Sequence, residues 1–98
     1  MRNIKDEVLN TLESLPKGKT VSRRYLSTIF NTNDRSVRKA IEDLRREGHP
    51  IMSTSHSKGY KLMENMEEFK AFKRENLSRV NKMLVQIDSM EERMTGHE

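Results

Sequence analysis

The spacing of apolar residues in the first fifty positions predicts three helices. Apolar residues recur every three or four positions in three segments, at Ile4, Val8, Leu9, Leu12 and Leu15, at Tyr25, Leu26, Ile29 and Phe30, and at Val37, Ala40, Ile41 and Leu44. A stripe of this kind covers one face of a helix. Each segment therefore predicts a short helix that buries one face in a shared core.

Residues with known capping preferences mark the ends of these helices. Ser22 is a good N-cap for the second helix. Asn33 or Asp34 caps the third, which is predicted over residues 35–47 and ends at Gly48. The second and third helices are thus joined by about three residues, which is typical of a helix-turn-helix. No glycine lies in this turn, so Asn31 or Asn33 is expected to adopt the left-handed conformation.

After Gly48 the pattern changes from helical to extended. Residues 51–54 and 58–62 are predicted to form two short strands around a polar turn, with Ile51 facing the core beside Tyr60 and Leu62. Residues 19–21 are too few for more than a stub of strand. The predicted fold is mainly α with a small β-hairpin (α+β), a winged helix-turn-helix over residues 1–63.

Residues 64–98 are predicted to form a second element, one long C-terminal amphipathic helix. It runs from Met66 to about Met94, with Asn65 as its N-cap, and contains no proline or glycine before Gly96. Its later apolar residues are spaced 3, 4, 3 and 4, at Val80, Met83, Ile87, Met90 and Met94. That spacing is a heptad seam.

The heptad seam predicts that the tail associates with another helix. We expect homodimerisation, with a contact formed by Phe69, Phe72, Leu77, Val80, Met83, Leu84, Ile87 and Met90. The alternative is a monomer in which the tail folds back over the first helix. A Met-rich face is also adaptable enough to dock on a different protein.

Composition narrows the class of protein. Only 33% of the 98 residues are hydrophobic and 35% are charged, which predicts a small core and excludes a large enzyme with a buried cavity. The absence of cysteine excludes a disulfide scaffold, a thiolate metal site and a cysteine nucleophile. No apolar run reaches the length of a membrane span, and the N-terminus is not a secretory signal. A cytoplasmic protein is expected.

Positive charge is concentrated in the first segment. Residues 1–63 hold 13 Lys or Arg against 7 Asp or Glu, and residues 64–98 hold 6 against 8. The balances of +6 and −2 give the net charge of +4. A basic front segment favours a polyanionic partner, of which nucleic acid is the commonest.

Residues 21–63 resemble the winged helix-turn-helix at the N-terminus of biotin-operon repressor proteins. The resemblance lies in Val21-Ser22 before the second helix, in residues 35–39 (RSVRK), in residues 47–51 (EGHPI) and in residues 59–62 (GYKL). It implies a domain that binds double-stranded DNA. The ligase and effector-binding domain of the full-length family is missing, so we expect no biotin, no other small-molecule effector and no cofactor. A free-standing winged helix with one long charged helix also resembles small proteins of bacterial viruses and mobile elements.

The third helix is expected to read DNA. Residues near the N-terminus of a recognition helix reach base edges in the major groove, which points to Arg35, Ser36 and Lys39, with Arg38 shared between base and phosphate. Phosphate contacts are expected from Arg23 and Arg24. The wing tip, at His56 and Lys58, is expected to contact phosphate or to enter the minor groove. Arg45 and Arg46 are expected to be plain surface residues.

Two acidic residues of the third helix each have alternative expected roles. Asp34 is expected to cap the helix or to lie near the positive end of its dipole. Glu42 is expected either to accept from a cytosine or to pair with Arg38 and Arg46. No enzyme is expected, because the three histidines lack the spacing of a metal site and no serine lies in a nucleophile motif.

The sequence supports three functional hypotheses. The first is a sequence-specific, double-stranded-DNA-binding regulator of transcription that acts as a dimer. The second is a protein-binding adaptor that uses the winged helix as a scaffold and the Met-rich tail for docking. The third is an accessory protein of DNA replication or packaging, of the kind found in phages, that binds DNA without regulating genes.

Overall fold

The computed structural model describes residues 3–53 and 59–96. The elements follow the chain in this order: α1 (Ile4–Glu13), β1 (Val21–Ser22), α2 (Arg23–Ile29), α3 (Asp34–Arg46), β2 (Ile51–Ser53), β3 (Gly59–Leu62) and α4 (Met66–Thr95). The chain divides into two compact units, Met1–Glu64 and Asn65–Glu98. The first combines three helices with an antiparallel three-stranded sheet, and the second holds α4. The predicted winged helix-turn-helix of the α+β class, followed by a long helix, is confirmed.

Each helix begins at a side chain that accepts a backbone hydrogen bond. The side-chain oxygens of Asn3, Ser22, Asn33 and Asn65 accept from the backbone N–H three residues further on, at 2.7–3.3 Å. A cap of this kind satisfies an amide that has no partner within the helix. Of the two candidates for α3, the cap is Asn33, which leaves the carboxylate of Asp34 for other partners.

The turn between α2 and α3 depends on one left-handed asparagine. Asn31 has φ +48°, and the N–H of the following Thr32 donates to the carbonyl of Ser27 at 2.9 Å. Asparagine tolerates this conformation better than most side chains. It therefore takes the role that a glycine often has in such turns, and Asn33 is left to cap α3.

The core forms around the apolar stripe of α3, on which both α1 and α2 pack. All four predicted residues of this stripe are buried, namely Val37, Ala40, Ile41 and Leu44. They meet buried residues of the other elements of the first unit, namely Val8, Leu12, Val21, Leu26, Ile51 and Tyr60. The prediction for the core face of α3 is confirmed. So is the inward position of Ile51 and Tyr60, while Leu62 is half-buried.

The predicted core face of α2 is wrong in part. Leu26 is fully buried and Phe30 is half-buried, but Tyr25 and Ile29 are 53% and 43% exposed. A helix of only two turns packs on α3 along one narrow line. Tyr25 and Ile29 lie one turn apart beside that line, where they border a shallow groove along α1.

The sheet has one strand more than predicted. β3 lies in the middle and pairs with both β1 and β2, with Val21 opposite Tyr60 and Ile51 opposite Leu62. Residues 19–21 were predicted to form no more than a stub of strand, because they are too few, whereas β1 comprises Val21 and Ser22. Pairing with β3 is what makes these two residues a strand.

Gly59 allows β1 to approach β3 closely. A Cβ atom at this position would lie 2.6 Å from Oγ1 of Thr20 and 3.2 Å from the carbonyl oxygen of Val21. Real Cβ contacts are essentially never shorter than 3.0 Å. β3 can therefore lie this close to β1, just before the start of α2, only because position 59 has no side chain.

The C-terminus of α3 is tied to the strand that follows it. Gly48 has φ +101°, its N–H donates to the carbonyl of Arg45, and the N–H of His49 donates to the carbonyl of Leu44, both at 3.0 Å. This pair of bonds is a Schellman motif. Nε of Arg45 donates to the carbonyl of Ile51 at 2.9 Å. Arg45 is therefore a half-buried structural residue, and its prediction as plain surface is wrong.

An ion pair joins the two helices that pack in the core. Nζ of Lys5 in α1 donates to the carboxylate of Glu47, the C-cap of α3. This hydrogen bond, partly offset by desolvation, raises the pKa of Lys5 above its ordinary value. The N-terminal end of α1 is thereby held beside the C-terminal end of α3.

The helix of the second unit presents its apolar residues to solvent. None of the side chains described in α4 is buried. Phe72 is half-buried, and the other large apolar side chains range from 40% exposed at Phe69 to 81% at Met94. Over the described part of the chain, no helix is long and apolar enough to cross a membrane.

We predict that Gly59→Ala destabilises the first unit by about 1–3 kcal/mol, because its Cβ overlaps Thr20 and forces β1 and β3 apart. Chemical denaturation of the full chain followed by circular dichroism measures the change. The control is the same substitution in a Thr20→Gly background, where the overlapping atoms are gone and the added cost should be smaller. Equal costs in both backgrounds would contradict the steric explanation.

Candidate nucleic-acid interface

The structure gives α3 two chemically different faces. One face is the buried apolar stripe, and the opposite face carries the exposed cations Arg35, Arg38 and Lys39. Because the stripe is fully buried, helix geometry directs these three side chains outward. The structure therefore brings three of the four residues predicted on this helix to one accessible surface.

The outer face of α3 forms a shallow depression. It is lined by Arg35, Arg38, Lys39, Glu42, Asp43 and Arg46. The fourth predicted residue, Ser36, is half-buried and lines a neighbouring depression with Lys39 and the start of α1. Ser36 thus lies at the edge of the cationic surface, where a short hydroxyl side chain reaches less far than the arginines.

Asp34 joins two of the predicted DNA-binding arginines. Its Oδ1 lies 2.9 Å from Nε of Arg23, at the start of α2, and its Oδ2 lies 3.1 Å from Nε of Arg38, one turn further along α3. Ion pairs between exposed groups contribute little to stability. Their main effect here is geometric, since one carboxylate sets the positions of two guanidinium groups from two different helices.

A second bond holds Arg23 from the sheet. Nη1 of Arg23 donates to the phenolic oxygen of Tyr60 in β3 at 3.4 Å. This hydrogen bond, together with the nearby carboxylate of Asp34, raises the pKa of Arg23 above its ordinary value. Arg23 therefore links α2, α3 and β3 while remaining partly exposed.

Sequence reasoning missed the role of Asp34, which was expected only to cap α3 or to lie near its dipole. The spacing of Asp34 and Arg38 at i and i+4 was a usable signal for one of its two ion pairs. No signal in the sequence indicates the pair with Arg23, because that contact depends on how α2 packs against α3. The same applies to Tyr60, which was predicted only as a core residue.

The other acids of α3 differ from expectation. One of the two alternatives for Glu42 was to pair with Arg38 and Arg46. Instead, Arg38 pairs with Asp34, and Arg46 pairs with Asp43 at 3.5 Å. Arg46 is a surface residue as predicted, although it borders the same depression as Arg35.

The remaining predicted residues lie elsewhere. Arg24 is exposed in the first turn of α2, beside Arg23. His56 and Lys58, predicted at the wing tip, lie outside the described residues. All eight residues predicted for dimerisation lie on α4. Seven of them are exposed and Phe72 is half-buried.

Comparison with known protein families gives a match that fits this geometry. Residues 9–61 match the model of a family described as an HTH domain, and this match covers more than half of the chain. It begins within α1 and ends within β3, so it includes α2, the turn and α3. A search of curated proteins gave no match. The HTH family is a class of DNA-binding modules and is not an enzyme class. From the matched residues and the two helices joined by the turn at Asn31, we conclude that the chain belongs to the HTH domain family of DNA-binding proteins.

Proposed function

We propose that the protein is a sequence-specific regulator of transcription that binds double-stranded DNA as a dimer. In this proposal α3 enters the major groove and the wing lies on the backbone or in the minor groove. The observation that carries the proposal is the outer face of α3, where Arg35, Arg38 and Lys39 are exposed opposite a fully buried stripe. An α-helix fits the major groove, and arginine and lysine are its commonest readers of guanine.

The proposed roles of the cations follow from their positions. Arg35 and Lys39 lie near the start of the recognition helix, where side chains reach base edges. Arg38 uses its Nε for Asp34, and the Nη groups of its guanidinium remain for a base or a phosphate. Arg23 and Arg24, at the N-terminus of α2, suit the phosphate backbone, which the free amides of a helix start also favour.

We extend the proposal to the type of winged helix. The resemblance of residues 21–63 to the biotin-operon repressor type supports a winged helix of that type. The same resemblance supports DNA binding, and a winged helix followed by one long charged helix resembles small proteins of phages and mobile elements. None of these points is needed for the DNA-binding role of α3, which rests on the geometry of the helix itself.

Selection of bound fragments from random DNA duplexes with the full chain tests the proposal directly. We expect enrichment of one motif and an affinity that falls with salt, with a slope of about −0.9 per phosphate contacted in a plot of log K against log salt. Enrichment of no motif, with salt-sensitive binding retained, would indicate an accessory DNA-binding role. No DNA binding at low salt would refute both roles and favour an adaptor.

Arg35→Ala should weaken binding to the selected site by about 1–3 kcal/mol and relax the preference at one base position, because a bidentate contact with a guanine is lost. Fluorescence anisotropy with the selected duplex and its single-base variants measures both effects. Lys17→Ala is the matched control, since it removes the same charge from an exposed loop after α1. If the two variants lose the same affinity and keep the same base preference, Arg35 does not read DNA.

Asp34→Asn should raise affinity for random duplexes about three- to tenfold and narrow the ratio between the selected site and random DNA. The substitution removes a negative charge from the interface and at the same time releases Arg23 and Arg38 from their fixed positions. Asp43→Asn is the control, because it makes the same change of charge but frees only Arg46. A site-to-random ratio that stays unchanged in Asp34→Asn would show that Asp34 does not position the two arginines for recognition.

A further inference from the structure

The apolar face of α4 is a feature that DNA recognition by α3 does not use. It includes Leu77, Val80, Met83, Leu84, Ile87 and Met90, all about half exposed or more. An amphipathic helix with an apolar stripe normally covers that stripe with another element. The charges of α4 indicate which element this is, and the inference rests on the proposed dimer.

Heptad positions assign each residue of α4 to a place around the seam. Val80, Ile87 and Met94 take position a, and Met83 and Met90 take position d, according to their spacing. The same frame extended toward the N-terminus puts Phe69 and Asn76 at d and Lys73 at a. Position e, which flanks the seam, is taken in turn by Lys70, Leu77, Leu84 and Glu91.

Charge along α4 is strongly asymmetric. After the acidic first turn, residues 70–82 hold five basic residues and one acidic residue, whereas residues 83–95 hold one basic residue and three acidic residues. Two parallel copies would lay the basic segments against each other and place Lys73 opposite its own copy within the seam. Two antiparallel copies lay each basic segment along the acidic segment of the other. Flanking charges are known to set the orientation of paired helices.

One antiparallel register matches position a with position d in the seam and also gives complementary pairs at position e beside it. Position a of one copy faces position d of the other, so Val80 faces Met83 and Ile87 faces Asn76. In that register Lys73 faces Met90, which removes the lysine–lysine contact. At the flank, Leu77 faces Leu84 and Lys70 faces Glu91. A shift by one heptad loses the Lys70–Glu91 pair in either direction, because it puts Leu77 beside Glu91 in one direction and Lys70 beside Leu84 in the other.

We propose that α4 pairs with α4 of a second copy of this chain in antiparallel orientation, with Val80 of each copy against Met83 of the other. The apolar stripes cover each other, and Lys70 and Glu91 form two symmetric ion pairs across the interface. The 30 residues of α4 span about 45 Å. The two N-termini of the helix therefore lie at opposite ends of the pair.

Disulfide trapping tests the orientation, because the chain has no cysteine of its own. Asn76→Cys and Ile87→Cys are made separately in the full chain, with tags of different mass, then mixed and oxidised without DNA. The antiparallel register places these two positions opposite each other, so the disulfide should join the two variants. In each variant alone the thiols are offset by about 16 Å along the helix axis, too far for a bond.

The trapping experiment has two outcomes that overturn the proposal. Disulfides within each variant alone would show a parallel pair. No disulfide in the mixture, together with a monomer mass in solution, would show that a different partner covers the face of α4. Neither outcome involves DNA, so this inference and the proposed role of α3 can fail independently.

Charge reversal provides a second test. Lys70→Glu should weaken self-association about tenfold, because it turns two attractive pairs into repulsive ones. The double variant Lys70→Glu with Glu91→Lys should restore it to within about threefold. Lys82→Glu makes the same change of charge at position c, away from the seam, and should have little effect. Sedimentation equilibrium measures all three. Failure of the double variant to restore association would overturn the assigned register.

Discussion

Burial of the apolar stripe of α3 is the constraint on which the rest of the first unit depends. Val37, Ala40, Ile41 and Leu44 are the positions around which α1, α2 and the sheet assemble. Burying the valine, isoleucine and leucine side chains of this stripe contributes about 1.5–3 kcal/mol each, whereas an exposed ion pair contributes about 0–1 kcal/mol. Because this stripe must face inward, the opposite side of the same helix must face solvent. The core thus fixes which side chains are available to a partner.

The polar contacts around α3 set the positions of individual side chains on its exposed side. Asn33 starts the helix and Asn31 turns the chain into it, so Asp34 does not have to cap. Its carboxylate instead reaches Arg23 and Arg38, and Tyr60 supports Arg23 from the sheet. These bonds are exposed and individually weak. In the proposed DNA complex, they would fix long, flexible side chains before DNA binds, which would lower the entropy lost on binding.

The two units of the chain expose different kinds of residues. The first buries most of its apolar residues and exposes cations, whereas the second exposes apolar residues along one face. A heptad seam accounts for the spacing of that face, and the uneven charge of α4 accounts for its proposed orientation. In the proposed function, α3 is the recognition helix and α4 pairs with its own copy, which together would make a small dimeric DNA-binding protein.

The sequence alone was sufficient for the helices, the two strands of the hairpin and the helix-turn-helix. Periodicity and capping preferences act within a few residues, so the four helices, the cap at Asn65 and the buried stripe of α3 followed directly from local pattern. The tertiary structure decided what depends on distant contacts. β1 is a strand only because β3 lies beside it, Arg45 is structural only because its side chain reaches Ile51, and Asp34 holds Arg23 only because α2 packs on α3. None of these partners is within five residues in the chain, and no local rule connects them.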